Sequence, residues 1–151
     1  MAIWFRPYTI ADLMQYRRNT MVEHLGIEIT EIGEDFLRGT MPVDNRTRQA
    51  MGLLHGGASV ALSETLGSIA TSMVLDRSKH GCVGLEINAN HLRAARSGVV
   101  TGTARPVHLG RSVQVWQTEI VDAAGKPVCL SRLTMYVLDL PLKAFADHAS
   151  G

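Results

Sequence analysis

The chain has 151 residues, a length that suits one domain with a hydrophobic core of its own. Charged residues make up 19% of it, below the roughly 25% of an average soluble domain, and we infer that another subunit covers part of the surface. The net charge of +1 argues against a general nucleic-acid binder, and no apolar run is long enough to span a membrane. An N-terminus without an apolar signal segment and two widely separated cysteines favour a reduced, cytoplasmic protein.

The first 25 residues predict two short helices, because a hydroxyl residue twice precedes an acid by three positions, which is the spacing of a helix N-terminal cap. These pairs are Thr9 with Asp12 and Thr20 with Glu23. Alternating apolar residues then predict a strand over 27–31 and another over 36–43. Residues 44–55 show no periodicity, and we expect a loop there.

The segment 56–75 is too long for one strand, and it predicts one long helix. Its apolar residues recur at helical spacing: Leu62, Leu66, Ile69 and Met73. Glu64 is its only charged residue, whereas a surface helix carries charges over most of its outer face. We therefore expect this helix to be buried nearly all round.

Four further strands are predicted near the C-terminal end, over residues 83–90, 99–109, 113–121 and 127–138. Short turns between the later strands favour antiparallel pairing, and the long helix is available to cover the apolar face of the sheet. The predicted class is therefore α+β, with an antiparallel sheet wrapped around one central helix, the arrangement called a hotdog fold. We expect a single domain over 1–140 and a flexible tail over 141–151.

Glu64 is the first candidate for chemistry, because a lone carboxylate on a buried helix is costly unless it is paired, hydrogen-bonded or functional. Desolvation raises the pKa of a carboxyl group, which suits a general base. Ser68 follows one helical turn later and shares a stripe with Glu64. A structural acid that bonds to the backbone or to an arginine is the alternative reading.

The start of the same helix offers a second candidate. Its first turn has free backbone N–H groups, and Gly56 and Gly57 would let a substrate oxygen approach them, as in an oxyanion hole. Gly56 and Glu64 are separated by about 12 Å of helical rise, too far for one small reacting group to touch both. If both serve one site, two copies of the helix must meet at a subunit interface.

Residues 87–118 contain no Asp or Glu, which suggests an anionic ligand, although a solvated strand face has the same composition. The basic residues of this window are Arg93, Arg96, Arg105, Arg111, His91 and His108. Aromatic residues do not alternate with the arginines, and so nucleic-acid stacking is poorly supported. The histidines do not have the spacing of metal ligands, and the sequence around Ser59 lacks the last glycine of a nucleophile elbow.

Several runs taken together resemble the hotdog-fold acyl-CoA thioesterases, over roughly residues 3–138. The runs are MPVD at 41–44, QAMGLLHGGAS at 49–59, ETLGS at 64–68, VGLEINANH at 83–91 and HLGR at 108–111. Within that family the chain is most similar to the group that contains the 1,4-dihydroxy-2-naphthoyl-CoA thioesterase of menaquinone synthesis and the proofreading thioesterase of enterobactin synthesis.

The resemblance implies a role for each matching residue. Glu64 would act as general base or nucleophile, the Gly56 N–H would polarise the thioester carbonyl, Gln49 and His55 would orient the thioester, and Ser68 would assist the attacking water. The expected CoA-binding residues are Gly84, His91, Leu92, Arg93, Val107, His108, Leu109, Gly110, Arg111 and Ser112. The family resemblance also implies a dimer that shares its active sites and pairs into a tetramer.

The function expected from this resemblance is hydrolysis of an acyl-CoA thioester, with an aromatic acyl group such as dihydroxynaphthoyl or hydroxybenzoyl, and without a metal or cofactor. Carrier-protein thioesters and medium-chain acyl-CoA are alternative substrates, and an acyl carrier protein is then a possible partner. A hotdog hydratase or dehydratase and a non-catalytic acyl-CoA binder remain as alternatives of other classes.

Overall fold

A six-stranded antiparallel sheet curls around one long helix in the computed structural model, which describes residues 1–141. The helices are α1 (Ile10–Met14), α2 (Met21–His24) and α3 (Gly56–Val74), with a 3-10 turn at Gln15–Arg17. The strands are β1 (Glu28–Ile32), β2 (Leu37–Pro42), β3 (His80–His91), β4 (Val99–Leu109), β5 (Val113–Val121) and β6 (Pro127–Asp139). Their order in the sheet is β1-β2-β4-β5-β6-β3. The predicted sheet wrapped around a central helix is confirmed.

The bounds of β4 and β5 coincide with the prediction, and α3 ends one residue earlier than predicted. Strand β3 begins at His80, three residues before the predicted start, because it continues its pairing with β6 as far as Asp139. The predicted turn at 122–125 is present, and Gly125 has a φ of +77° there. The predicted tail lies outside the described residues, apart from Pro141.

The two predicted helix caps differ in outcome. Thr9 and Asp12 form a complete capping box, in which the Asp12 N–H donates to the Thr9 hydroxyl at 3.2 Å and the Thr9 N–H donates to the Asp12 carboxylate at 2.8 Å. Thr20 occupies the N-cap position of α2, but its side chain caps no N–H. Glu23 instead accepts from the Asn19 N–H, and Asn19 has a left-handed φ of 59°. The predicted capping box of Thr20 and Glu23 is therefore absent, and the Glu23 carboxylate accepts from the N–H of Asn19 instead of that of Thr20.

The core lies between α3 and the concave face of the sheet. Leu62 and Leu66 are fully buried there. Gly39 on β2 lies directly opposite Gly102 on β4. A Cβ atom added at either glycine would lie 2.9 Å from a Leu66 methyl carbon. The paired glycines therefore let the helix approach the sheet closely, and Leu66 fills the space that they leave.

The expected burial of α3 on all sides is wrong for the single chain. One face is buried, but Glu64, Thr65, Ser68 and Ser72 on the other face are only half-buried. Ile69 was expected in the buried stripe with Leu62, and it is also half-buried. The reason is that this face borders a cavity between α3 and the N-terminal segment of the chain. Sequence periodicity cannot distinguish such a lined cavity from a packed core.

Strand β3 lies at one end of the sheet and pairs with β6 on one side only. Two of its apolar side chains are exposed, Val83 by 46% and Leu85 by 58%. An apolar strand edge with unpaired backbone groups is a template for pairing with another chain. In residues 1–141 no helix combines the length and apolarity that a membrane crossing requires.

We expect Leu66→Ala to lower the free energy of unfolding by about 2–5 kcal/mol, because it leaves a cavity in the core. Gly102→Ala should lower it by about 1–3 kcal/mol through overpacking against the same Leu66 side chain. The double variant should lose less than the sum of the two, since the added methyl group enters the space that Leu66 vacates. Urea denaturation of the three variants measures this coupling, and strict additivity would contradict the packing described here.

Candidate active site

Glu64 lies on the half-buried face of α3, at the wall of a cavity of about 890 Å³. Partial burial raises the pKa of the Glu64 carboxyl above its ordinary value, because the charged form loses hydration. The Ser68 hydroxyl donates a hydrogen bond to Glu64 Oε1 at 3.4 Å, which favours the charged form and opposes that rise. Within residues 1–141 the carboxylate thus has a hydroxyl partner and no ion-pairing cation, the environment of a proton acceptor rather than of an ion pair.

Gly84 lies against this carboxylate. It is on β3, opposite Met135 of β6, and a Cβ atom added to it would lie 2.7 Å from Glu64 Oε1. The resemblance assigned Gly84 to CoA binding, but in the single chain its absent side chain makes room for Glu64. Sequence spacing gives no sign of this contact, because the two residues belong to different elements.

The first turn of α3 is capped by the residue that precedes it. His55 Nδ1 accepts from the Gly57 N–H at 2.8 Å, and the His55 carbonyl accepts from the Ala58 N–H at 2.9 Å. An accepting Nδ1 places the ring proton of neutral His55 on Nε2, which leaves Nε2–H as a donor. The Gly56 N–H has no acceptor among residues 1–141 and is therefore free for a ligand.

A second cavity, of about 390 Å³, borders this helix start. Among the residues that line it are Gln49, Gly56, His91, Leu92 and Arg93. The His91 ring packs against Gly56, since a Cβ atom there would lie 2.7 Å from His91 Nε2. The Gln49 amide oxygen accepts from the Met51 N–H, which leaves the Gln49 NH₂ group as a donor. The structure therefore places Gln49, Gly56 and His91 around one cavity. The roles that the resemblance implies for them, orienting the thioester for Gln49 and binding CoA for His91, stay predictions.

Glu64 and Gly56 line different cavities of the same chain. Both residues belong to α3, in which an offset of eight positions corresponds to a rise of about 12 Å. A thioester held at the Gly56 N–H therefore does not reach the Glu64 of its own subunit.

The expected CoA-binding residues are divided in the same way. The segment Val107–Ser112 precedes Val113, which is level with Tyr136 of β6 and Val83 of β3. Arg93 instead follows the far end of β3. Seven residues separate Gly84 from His91, a strand length of about 23 Å. Gly84 and residues 107–112 of the expected set are therefore at the Glu64 end of the sheet, and His91, Leu92 and Arg93 are at the Gly56 end.

The arginines of the basic window 87–118 have different surroundings. Arg105 donates to the Asp35 carboxylate at 2.6 Å and stacks over the Phe36 ring, with its guanidinium carbon 4.6 Å from the ring centre. Of the arginines in the window, Arg93 is the one that lines the cavity at Gly56. Arg105 is therefore engaged by Asp35 and Phe36, whereas Arg93 borders a candidate site.

The N-terminal segment of the chain forms one wall of the Glu64 cavity, although no residue before Gln49 was predicted for the site. The side chains that form this wall are Phe5, Arg6, Tyr8, Asp12, Leu13, Met14, Gln15, Tyr16, Arg17 and Val22. Helices α1 and α2 contain no buried residue, and their short sequences carry no motif that reports a ligand. Within the described chain no three His, Cys, Asp or Glu side chains are grouped as metal ligands.

Comparison with known proteins assigns this arrangement to a family. The model of the family described as "Thioesterase superfamily" matches residues 51–129, more than half of the chain. The chain belongs to the thioesterase superfamily. The matched range contains both Gly56 and Glu64.

Named relatives and a solved structure agree with this thioesterase assignment. The chain is 50% identical over 136 residues to the 1,4-dihydroxy-2-naphthoyl-CoA hydrolase of Escherichia coli, which covers 90% of this chain and 99% of that protein. It is also 50% identical over 136 residues to the proofreading thioesterase EntH of Cronobacter turicensis, covering 90% and 98%. The crystal structure of a mutant thioesterase from Pseudomonas aeruginosa superposes with a TM-score of 0.91 at 46% identity, covering 92% of this chain and all of that chain.

The predicted hotdog fold and the predicted class of thioester hydrolase are therefore confirmed. The roles assigned to individual residues of this thioesterase remain predictions that variants can test.

Gly84→Ala should lower the rate of thiol release from a CoA thioester at least about tenfold, because the new methyl group displaces the Glu64 carboxylate. Gly81→Ala on the same strand is the matched control, since a Cβ atom there makes an ordinary 3.6 Å contact with Leu140. Steady-state kinetics and circular dichroism of both variants check this. Equal rates for the two folded variants would contradict the inference that the missing side chain at Gly84 makes room for the Glu64 carboxylate.

Glu64→Gln should make the thioesterase more stable than the wild type at about pH 8. In the folded wild type the pKa of Glu64 is raised above its ordinary value of 4.5, so the ionised group destabilises the fold once the pH exceeds that raised value. Below 4.5 the group is protonated in both the folded and unfolded states, and the advantage of the variant should disappear. Urea denaturation at about pH 8 and below pH 4.5 measures the difference in the free energy of unfolding between the variant and the wild type. A difference that did not depend on pH would refute the effect of burial on Glu64.

Proposed function

We propose that the protein hydrolyses the thioester bond of aromatic acyl-CoA substrates, with 1,4-dihydroxy-2-naphthoyl-CoA as the first candidate. The observation that carries this proposal is Glu64, a half-buried carboxylate of raised pKa at the wall of a large cavity whose lining surface is mostly apolar. Such a cavity suits a flat apolar acyl group, and the carboxylate can activate water at its entrance. The relative from Escherichia coli supports the choice of acyl group.

Each active site is formed by two subunits in this proposal. Strand β3 has a free edge, and antiparallel pairing of two β3 strands near Ile87 and Asn88 would place the Gly84 end of one subunit beside the His91 end of its partner. Because Glu64 lies against Gly84 and Gly56 lies against His91, this pairing brings the carboxylate of one subunit to the free N–H of the other. The same pairing covers Val83 and Leu85.

The catalytic step follows from this shared site. The Gly56 N–H binds the carbonyl oxygen of the thioester and stabilises the negative charge that develops on it. Glu64 of the opposite subunit either removes a proton from water, which attacks the carbonyl carbon, or attacks that carbon itself to form an anhydride that water then hydrolyses. In both routes the carbon–sulfur bond breaks and CoA leaves as the thiolate. Both routes need ionised Glu64, so the rate should fall as the pH drops through its raised pKa.

The divided CoA-binding residues also come together in the dimer. Arg93, beside the Gly56 cavity, approaches the segment Val107–Ser112 of the opposite subunit, which carries Arg111. Two guanidinium groups from different subunits would then bind CoA phosphates, for which the planar arginine group is well suited. Pantetheine would lead from there to the Gly56 N–H, past Gln49, His55 and His91. Pairing of two such dimers into a tetramer is part of the proposal.

A carrier-protein thioester, the alternative acyl donor named in the sequence analysis, is the second candidate substrate. The test is a panel of thioesters that contains 1,4-dihydroxy-2-naphthoyl-CoA, benzoyl-CoA, a medium-chain acyl-CoA and an aroyl carrier protein. Thiol release that is fastest with the dihydroxynaphthoyl ester supports the first candidate. The highest kcat/KM with the carrier protein would replace it with the second.

Glu64→Gln should lower kcat at least about a hundredfold with little change in KM, because it removes the group that acts in the transition state. Gly56→Val should also be inactive, since its side chain would collide with His91 and displace the N–H. Mixing the two inactive proteins under conditions that exchange subunits should restore about a quarter of the wild-type activity. About half of the randomly reassorted dimers are mixed, and each of these has one intact site.

Subunit exchange is verified separately by mass spectrometry of differently labelled chains. Mixed dimers that form without any recovery of activity would refute the shared site. Activity of Glu64→Gln near the wild-type rate would refute the role of Glu64 itself.

A further inference from the structure

The Glu64 cavity continues along α3 toward the C-terminal end of the helix. Glu64, Ser68 and Ser72 follow each other at four-residue steps and all line it. Ser72 is therefore about 12 Å from Glu64 along the helix axis. The apolar side chains that line the same cavity include Leu13, Met14 and Val22 from the N-terminal segment and Ile69 and Met73 from α3. An acyl group whose carbonyl carbon is at Glu64 would extend between these side chains, with its remote end near Ser72.

The charged residues that line the cavity, apart from Glu64, are Arg6, Asp12, Arg17, Asp76 and Arg77. Asp12 accepts from the N–H of Thr9, and its hydrogen bonds with Thr9 hold the pKa of the Asp12 carboxyl below its ordinary value. The Arg6 guanidinium stacks over the Tyr8 ring, 4.1 Å from its centre, and donates to the Pro7 carbonyl at 3.0 Å. Thr9 therefore stabilises the Asp12 charge, and Arg6 forms no ion pair with a carboxylate of residues 1–141.

Arg17 and Asp76 are also engaged by the protein. Arg17 donates to the Ile27 carbonyl at 3.2 Å and contacts the Glu28 carboxylate at 3.4 Å. Asp76 accepts from the Ser78 hydroxyl at 2.6 Å and pairs with Lys79 at 3.3 Å.

Within residues 1–141 the Arg77 guanidinium hydrogen-bonds only to neutral groups, and unlike Arg6 it lies beside Ser72, at the end of the row that begins at Glu64. Its Nη1 atom is 3.4 Å from the Ser72 hydroxyl and 3.8 Å from the Cys82 thiol. Among residues 1–141 no carboxylate forms an ion pair with it. The far end of the cavity therefore has a cation with unused hydrogen-bond donors, beside a hydroxyl group on the row that leads from Glu64.

We propose that Arg77 and Ser72 form a specificity site that binds an oxygen substituent at the remote end of the acyl group. This inference rests on the proposed thioesterase function and adds a substrate class: aromatic acyl groups with a hydrogen-bond-accepting oxygen opposite the thioester. This class differs from 1,4-dihydroxy-2-naphthoyl-CoA, in which both hydroxyl groups lie on the ring that bears the thioester. A carboxylate would receive two parallel hydrogen bonds from the guanidinium, and a ring hydroxyl would receive one while it donates to Ser72. An unsubstituted acyl group leaves these donors to water.

The test compares three substrates that differ only at the remote ring position: 2-naphthoyl-CoA, 6-hydroxy-2-naphthoyl-CoA and 6-carboxy-2-naphthoyl-CoA. Arg77→Ala should lower kcat/KM for the two substituted esters about ten- to a hundredfold and leave 2-naphthoyl-CoA within about twofold of the wild-type value. Arg77→Lys should retain an intermediate preference, since it keeps the charge and loses the planar group. Lys126→Ala, which removes a cation at the distant β5–β6 turn, is the matched control and should change none of the three.

An equal loss with all three esters would mean that Arg77 is structural, and no loss with any of them would mean that it does not reach the acyl group; either result overturns the proposal. A loss confined to the carboxylated or to the hydroxylated ester identifies which oxygen group the site prefers.

Binding of the free acids separates this inference from the proposed function. Calorimetric titration with 6-carboxy-2-naphthoate and with 2-naphthoate needs no turnover. Tighter binding of the carboxylated acid to the wild type, lost in Arg77→Ala, supports the site even if no naphthoyl thioester is hydrolysed. Equal affinity of the two acids for the wild type overturns it, even if Glu64→Gln abolishes hydrolysis of every ester.

Discussion

The carboxylate of Glu64 on an otherwise uncharged helix is the constraint on which the rest of the structure depends. A half-buried carboxyl group without a cation is unfavourable, so its neighbours must provide space and a hydrogen bond. Gly84 provides the space because it has no side chain, and Ser68 provides the hydrogen bond. The unfavourable partial burial of Glu64 affects only one face of α3, because Leu62 and Leu66 pack the opposite face against the core. The scaffold can therefore hold a reactive group without losing its fold.

In the proposed site the helix also sets the distance that makes a second subunit necessary. Its N-terminal N–H groups and Glu64 are separated by about two turns of the same helix. Along the edge strand β3, Gly84 lies beside Glu64, and His91, seven residues later, lies beside Gly56. Antiparallel pairing of two such strands would bring Glu64 of one subunit close to the Gly56 N–H of the other. The proposed catalytic step therefore requires the proposed dimer.

In the proposed site, catalysis and acyl selection depend on different layers of the molecule. Gly56 and Glu64 belong to the helix that the sheet encloses, whereas the wall that faces the acyl group is the N-terminal segment with no buried residue in α1 or α2. Segments with few buried contacts tolerate sequence change more readily than the core does. Substitutions in this wall, or at Arg77 in the loop after α3, can thus alter the preferred acyl group while the catalytic residues stay in place.

The sequence by itself determined the elements and the main chemical candidates. Alternation between glycine-marked turns predicted β4 and β5 with their observed bounds, and the single charge in segment 56–75 identified Glu64, because both signals are local. Only the tertiary structure decided that Gly84 borders Glu64, that Arg105 pairs with Asp35 rather than with a ligand, and that the N-terminal segment lines the cavity. Each of these contacts joins residues from different elements, often far apart in the chain. Local periodicity carries no information about them, since only the packing of the sheet around the helix brings them together.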